Sequence, residues 1–578
     1  MSEGVQPPLA AGWRNRFLRS VSELRQREGQ IFLILALVIG ALTGLAVVAF
    51  IVLTERLGMK LYPVGGAPWR RLLFPVVGSL SIGYLLYRYF PNARGSGVPQ
   101  TKAALFARGG RITLRTVLGK FFCTSATLAS GIPLGREGPS VQVGAGIGSV
   151  LGRFLGLPTE QVKKLIPVGA AAAIAAAFNT PLAAVLFSLE EVTGDLYAPV
   201  MGAVVLASAT AWMVLRVFLG DHPLFNVPQY QLVHPAEFAV YAVLGVAGGV
   251  ISAVFTKILL GIRARFLRFP LKTVWLQPAV GGLLVGVMGW FVPQVLGVGY
   301  GYVGEALNGR MAFRMMALLV VLKLIAVTTS YATGNAGGIF GPSLFIGAML
   351  GGTVGTVAHS LFPAYTATPG AYALVGMGAV FAGVVRTPMT SVLMIFEMTQ
   401  DYAVIVPLMI ANLVSLFVAS RLQEEPIYEG LAVQDGIHLP SAQGRLRHGQ
   451  RQIIKVMQCA GDSLPADTPV REALERVRSS GIRTWLVTDQ RGVIGVLNLT
   501  NLAKELTENN GAEKKVGDLV NAPVFPHVHP DQALDLALER MGTNQLDILP
   551  VVNRGDVHKL EGVVTLRDVL DAYGVGRA

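Results

Sequence analysis

Apolar stretches follow one another almost without a break from Ile31 to about Ser420, after which the texture changes. Ile31–Leu53, Leu72–Tyr89, Pro199–Leu219, Phe238–Leu260 and Val274–Val292 are each long enough to cross about 30 Å of hydrocarbon as a helix. Ala312–Thr328 is marginal, because Arg314 and Lys323 interrupt it. Four other runs, Ile166–Ala177, Leu182–Leu189, Tyr372–Val385 and Met389–Phe396, are brief and separated by Gly, Pro or Asn. Broken helices at membrane depth are tolerated only where their backbone is buried in protein or lines an aqueous cavity. The pattern therefore predicts a transporter or channel core with re-entrant half-helices.

An internal repeat organises this region. Gly138-Pro139-Ser140 followed by VQVGAGIGSVLG resembles Gly341-Pro342-Ser343 followed by LFIGAMLGGTVG. Farther on, AAIAAAFNTPLAAVLFSLEEVTGDL (172–196) parallels GAVFAGVVRTPMTSVLMIFEMTQDY (378–402). In both copies a glutamate stands nine residues after the second proline, Glu190 after Pro181 and Glu397 after Pro388. Duplication of this kind predicts an inverted repeat, with halves of about 31–220 and 235–435 and a substrate site between them. Glu190 and Glu397 then read as a shared structural feature. Glu191, whose counterpart is Met398, is the additional carboxylate.

Beyond the membrane part, a linker at 436–450 leads to two modules, 451–510 and 511–578. Each places a helical pattern (VREALERVRSSG, DQALDLALERMGTN) before paired strand-like runs (WLVT with GVIGVLNL, DILPVV with LEGVVTL), a soluble α/β repeat of about sixty residues. The expected fold class is thus a polytopic all-α membrane protein with an α/β pair attached. Charge supports the division. Of the 435 residues up to Asp435, 31 are basic and 18 acidic, whereas the last 143 carry 17 of each, so the net +13 belongs to the membrane part. That excess reads as basic residues at cytoplasmic span ends, not as a nucleic-acid footprint. Residues 1–30 are polar without a signal-peptide pattern, and Trp13, Phe17, Leu18 and Val21 predict a helix on the cytoplasmic face. Cys123 and Cys459 build no disulfide framework, the histidines show no metal spacing, and no catalytic constellation stands out, so an enzyme is not expected.

Three glycine-rich stretches are expected to open short helices inside the membrane part: Gly95–Pro99 (GSGVP), Gly135–Pro139 (GREGP) and Gly337–Pro342 (GGIFGP). A helix start leaves unpaired N–H groups and about half a positive charge, and low dielectric strengthens both. Several such ends converging would hold an anion without a full positive charge. Glu137, in the second stretch, would then be a tethered mimic of that anion, released by protonation. Val298-Gly299-Tyr300-Gly301 copies the core of a potassium filter, yet it lacks the preceding threonine and reads as a Gly-rich helix junction. Lys120, Lys323 and Arg386 read as snorkelling or structurally paired cations.

These three stretches, in this order and with Tyr428 in EEPIYEGL, resemble the signatures of the CLC family of chloride channels and chloride/proton antiporters over about residues 31–432. The tail resembles a pair of CBS modules on its pattern and on Thr565-Leu566-Arg567-Asp568. The resemblance implies a homodimer in lipid, each subunit with its own chloride pathway. It implies that the Ser96 and Tyr428 hydroxyls and the Ile339 and Phe340 amides hold a central chloride. Glu137 would gate it, and Glu191 would be the internal proton acceptor, an acid that antiporters tend to carry there and channels do not. Ser96 with Tyr428 also argues against the fluoride branch. In CBS pairs a hydroxyl and an acid at the spacing of Thr565 and Asp568 contact an adenine nucleotide; Asn498 and Asn501 take these places in the first module and lack both groups. Chloride/proton exchange without a required cofactor is the expected function, in a bacterial inner membrane with the N-terminus and tail cytoplasmic. A passive chloride channel is the alternative, and a CBS-containing cation transporter a remoter one that the basic excess disfavours.

Overall fold

The computed structural model describes residues 28–63, 65–194, 200–220, 223–225, 227–228, 230, 232–437, 452–459, 463–480, 484–498, 514–520, 525–544 and 546–572. The helix expected around Trp13–Val21, and Asn501, lie outside the described residues. The chain divides into two compact units, Met1–Leu439 and Pro440–Ala578.

Helices build the first unit. Its first half holds α1 (Glu28–Leu61), α2 (Pro68–Arg88), α3 (Val98–Phe106), α4 (Leu114–Ala129), α5 (Glu137–Phe154), α6 (Thr159–Phe178), α7 (Pro181–Phe187) and α8 (Met201–Leu219). The second half repeats this order as α9 (Glu237–Phe266), α10 (Gln277–Phe291), α11 (Tyr300–Leu307), α12 (Phe313–Ala332), α13 (Phe340–Leu361), α14 (Pro369–Val385), α15 (Pro388–Thr399) and α16 (Ile405–Leu422). A last short helix, α17 (Ile427–Gln434), follows. Seven segments among the described residues are long and apolar enough to cross a membrane.

Packing within the halves is matched: α1 lies on α6 and α8 as α9 lies on α14 and α16. Between them, α2 packs on its counterpart α10 and α7 on its counterpart α15, which is what a two-fold relation produces. The helix crossings explain much of the glycine. A Cβ on Gly144 would stand 2.2 Å from the Gly169 carbonyl oxygen, and one on Gly347 would stand 2.4 Å from that of Gly376. Without side chains there, α5 meets α6, and α13 meets α14, backbone to backbone, the close approach on which apolar helices in lipid rely.

Helix lengths depart from the hydropathy reading in both directions. Ile166–Ala177, expected as a separate short helix, is the apolar end of the 20-residue α6, which carries Pro167 internally. Val274–Val292 shortens to the 15-residue α10 behind a 3₁₀ turn at Leu271–Thr273. Of the helices opened by the glycine-rich stretches, only α3, at 9 residues, is short; α5 has 18 and α13 has 22. Hydropathy marks the apolar part of a helix, whereas its hydrogen-bonded length is set by local backbone geometry and terminating turns.

The TP-initiated helices are tied across the two halves. Glu190 accepts from the Thr390 N–H (2.9 Å) and hydroxyl (2.7 Å) at the start of α15. Glu397 accepts from the Leu182 and Ala183 N–H groups (3.0 and 2.7 Å) at the start of α7. Each carboxylate thus serves the orphan donors of the other half's helix start.

In the second unit, β1 (Leu464–Pro465) pairs parallel with β2 (Thr484–Asp489), which pairs antiparallel with β3 (Gly492–Asn498). β4 (Ile548–Val552) and β5 (Leu560–Thr565) form an antiparallel hairpin. Helices α18 (Val470–Ser480), α19 (Leu534–Asn544) and α20 (Leu566–Ala572) complete it. Residues 452–458, at the start of the expected first module, pack on the second: Ile453 joins its core, and Gln458 bridges to Val563.

Glu397→Ala and Glu190→Ala, each stripping a helix start of its acceptor, are expected to cost about 1–3 kcal/mol apiece. The check is thermal unfolding of the detergent-purified protein, where both midpoints should fall; unchanged midpoints would remove the capping assignment.

Candidate functional site

The three glycine-rich turns meet in the interior of the first unit. Gly135 and Gly338, equivalent in the repeat, exchange N–H···O bonds of 2.7 Å in both directions. A Cβ on Gly97, whose φ is 105°, would lie 2.2 Å from the Gly138 carbonyl oxygen, and one on Gly138 would lie 2.5 Å from that of Ser96. Glycine is therefore required for the turns to touch. Their contact brings the starts of α3, α5 and α13 to one place, and with them Ser96, Glu137, Ile339 and Phe340. Ile339 caps α13 and Phe340 opens it, with the Phe340 ring packed against Phe178, Phe187 and Phe381 at 4.8, 5.6 and 4.2 Å between centroids. Tyr428, on α17, arrives from the last helix of the first unit, which packs on α3.

Two hydroxyls here are left without a protein partner, as several other buried hydroxyls of the chain are. Ser96 Oγ and Tyr428 Oη are both buried and have no hydrogen-bond partner among the described residues. The Ser96 backbone instead donates to the Tyr331 hydroxyl at 3.1 Å, which fixes the turn and leaves the side chain uncommitted. An unsatisfied buried hydroxyl costs about 1–3 kcal/mol, so these two favour a ligand that accepts hydrogen bonds.

Glu137, at the first position of α5, is fully buried. Gly341 N–H, in the first turn of α13, reaches its Oε2 at 3.3 Å, so the carboxylate lies on a helix start as an anion would. Arg136 is not its partner. That guanidinium bonds Glu55 of α1 at 3.1 Å.

A six-residue π-helical turn, Ser188–Thr193, follows α7 and sends its two glutamates different ways. While Glu190 caps α15, Glu191 is buried and bonds the Lys102 ammonium at 2.8 Å. Lys102 stands on α3, the helix that Ser96 and Gly97 precede, so one short helix links the hydroxyl site to the internal carboxylate.

Lys120 and Lys323 lie 19 residues before Pro139 and Pro342 and are fully buried. Lys120 donates to the Ala93 and Gly95 carbonyls (3.0 and 2.5 Å), and Lys323 to those of Val295 and Gly297 (3.0 and 2.6 Å). Each buttresses the turn before its half's short helix. Arg386 is structurally paired, bonding the Glu424 carbonyl at 2.6 Å and the Gln423 carbonyl.

Sequence reasoning passed over Lys102 and Tyr300. Tyr300 donates a hydrogen bond to Glu137 Oε1. The signal was present in the repeat: PNARGSGV (91–98) aligns with PQVLGVGY (293–300), so the set-aside filter-like stretch is the counterpart of the first glycine-rich motif.

Thr565 and Asp568 lie in the second unit. Thr565 caps α20, its N–H and hydroxyl donating to Asp568 Oδ2 at 3.0 and 2.6 Å, while Gln458 donates to Oδ1 at 2.6 Å. Among the described residues no group of three His, Cys, Asp or Glu could hold a metal.

The family model described as voltage gated chloride channel matches residues 77–420, and the CBS domain model matches 455–508 and 516–574. A ClcB-like chloride channel protein of Ralstonia nicotianae is 35% identical over 381 residues, 65% of this chain and 89% of that protein. The H(+)/Cl(-) exchange transporter ClcA of Vibrio campbellii is 34% identical over 354 residues, 60% of this chain and 76% of that one. Among solved structures, a slow cyanobacterial Cl-/H+ antiporter superposes with a TM-score of 0.65 at 28% identity, over 70% of this chain and 97% of its own. With its repeat-built helical unit and its α/β tail, the chain is a multi-pass membrane protein of the voltage gated chloride channel (CLC) family carrying a CBS domain pair.

Proposed function

We propose that the protein exchanges chloride for protons. The observation that carries this reading is the pair of buried, unpartnered hydroxyls, Ser96 and Tyr428, set among three converging helix starts. Chloride accepts from both hydroxyls and from the Ile339 and Phe340 amides at the start of α13. The Glu137 carboxylate occupies the neighbouring position as a tethered anion. On protonation it loses its charge, releases the Gly341 N–H and leaves that position to chloride. The proton's inner stop is Glu191. Its burial beside Lys102 supports this role: low dielectric favours the neutral acid and the ammonium 2.8 Å away favours the carboxylate, so the two effects oppose each other and both charge states come within reach. The working unit is a homodimer in a bacterial inner membrane, each subunit carrying its own pathway and the tail facing the cytoplasm.

For the tail we infer a structural role for Thr565 and Asp568 in place of the expected adenine-nucleotide contact. The two groups satisfy each other as a helix cap, an arrangement that needs no ligand. Millimolar adenine nucleotide should leave the unfolding midpoint of the intact protein where it is; a clear upward shift would restore the nucleotide site.

Reconstituted into liposomes under an imposed chloride gradient, the protein should drive protons uphill, with external pH and chloride efflux followed together. Glu191→Gln should keep chloride flux and lose proton movement. Proton movement unaltered in that variant would dismiss Glu191, and chloride flux without protons in the unmodified protein would make it a passive channel. Lys102→Met removes the cation that favours the charged form of Glu191, so coupled flux should shift its inner-pH dependence upward. An unmoved profile would reduce the ion pair to packing.

A further inference from the structure

Glu137 is held on two sides, and both holds come from the second half of the repeat. Gly341 N–H approaches one carboxylate oxygen, and the Tyr300 hydroxyl donates to the other. Tyr300 is the first residue of α11, directly after Gly299, whose φ of 87° turns the chain inward. Lys323 secures that turn through the Val295 and Gly297 carbonyls. The Tyr300 ring is braced by the Arg136 guanidinium 5.7 Å over its face and by Phe225 at 5.8 Å, edge to face. Its hydroxyl has room only because residue 341 is glycine: a Cβ there would stand 2.8 Å from the Tyr300 oxygen. The repeat counterpart of Tyr300 is Val98, which has no hydroxyl, so of two equivalent helix starts only this one carries a donor.

We propose that Tyr300 is a positioning residue for Glu137, a latch whose hydroxyl holds the carboxylate against the start of α13 and thereby sets the pH at which the outer gate gives way. The proposal rests on Glu137 being the gate. A phenol O–H donates more strongly to a carboxylate than to a carboxylic acid, so the latch favours the charged, seated form. Protonation weakens it and the Gly341 contact together, and the side chain is freed. Chloride competing for the same position has to displace a carboxylate held by two donors, not by one.

The titratable and charged groups that face Glu137 are few. Tyr300 comes from α11, Arg136 from the start of its own helix with Glu55 of α1 paired behind it, and Tyr428 from α17. Lys120 of α4 is committed to loop carbonyls and Lys102 of α3 to Glu191, and α13 has no acidic residue in its first turn. Arg136, Glu55 and Tyr428 all remain when the Tyr300 hydroxyl is removed.

The test is chloride flux from liposomes as a function of external pH for the unmodified protein, Tyr300→Phe and Glu137→Gln. Tyr300→Phe keeps the ring between Arg136 and Phe225 and deletes only the donor. Loss of one charge-assisted hydrogen bond should move its midpoint up by about one to two pH units, with chloride activating flux at lower concentration. A midpoint equal to that of the unmodified protein overturns the latch. Glu137→Gln separates the two levels: pH dependence that survives in it overturns the gate itself, whereas its loss there with an unmoved Tyr300→Phe midpoint overturns only the latch. Should Tyr300→Phe not fold, 3-fluorotyrosine incorporated at position 300 preserves the shape while strengthening the donor. The midpoint should then move down, and an unmoved one overturns the latch as well.

Discussion

Everything at the centre of this molecule depends on how closely three main-chain turns approach one another. The Gly97–Gly138 contact leaves no space for a Cβ, and beside the Gly135–Gly338 exchange one would be tight. Because each turn runs straight into a helix, the contact forces three helix starts together, a mutually unfavourable assembly of partial positive charges. Such an arrangement is stable when something negative or hydrogen-bond accepting lies among the ends. Glu137 supplies that from within the chain. In the proposed exchange an anion supplies it from without, in competition with the carboxylate.

Buried charge is managed around this centre by a few recurrent means. Lys120 and Lys323 are enclosed by carbonyls, Glu191 faces Lys102, and Glu190 and Glu397 each take helix-start N–H groups of the opposite half. Glu237, buried at the start of α9, accepts from the Ala367 N–H (2.7 Å), the Tyr372 hydroxyl (2.8 Å) and the Val233 N–H (3.1 Å). Each of these groups would be costly alone in low dielectric, and each has its partners. Ser96 and Tyr428 are among several buried hydroxyls without a protein partner in the described residues, and what sets these two apart is their place beside the converging helix starts, where the proposed exchange puts chloride.

The repeat gives the two halves the same architecture and different chemistry. Val98 and Tyr300 start equivalent helices, Glu137 and Phe340 occupy equivalent first positions of α5 and α13, and Glu191 answers to Met398. The first half contributes Glu137 and Glu191 and the second the Tyr300 donor, while rings of both halves pack around Phe340. A transport site placed between related halves can therefore be asymmetric without breaking the packing that the symmetry provides.

The membrane character, the duplication, the α/β tail and the three glycine-rich helix starts were legible in the amino-acid sequence, because composition, spacing and turn chemistry are local properties. That Glu190 is the structural member of the Glu190–Glu191 pair was legible too, since the repeat gives it the counterpart Glu397, and both cap a helix start of the other half. Helix extents were not: the polar first turns of α6 hide the start of a helix whose backbone continues through Pro167 at the loss of one hydrogen bond. Nor was any partner across the fold. That Arg136 turns to Glu55, that Lys102 meets Glu191, that Thr565 is occupied by Asp568 and that Tyr300 reaches Glu137 are decided by where helices far apart in sequence cross. Those crossings are set by side-chain volume summed over many contacts, most of all by where glycine permits backbone to touch backbone, and no short window of sequence contains that sum.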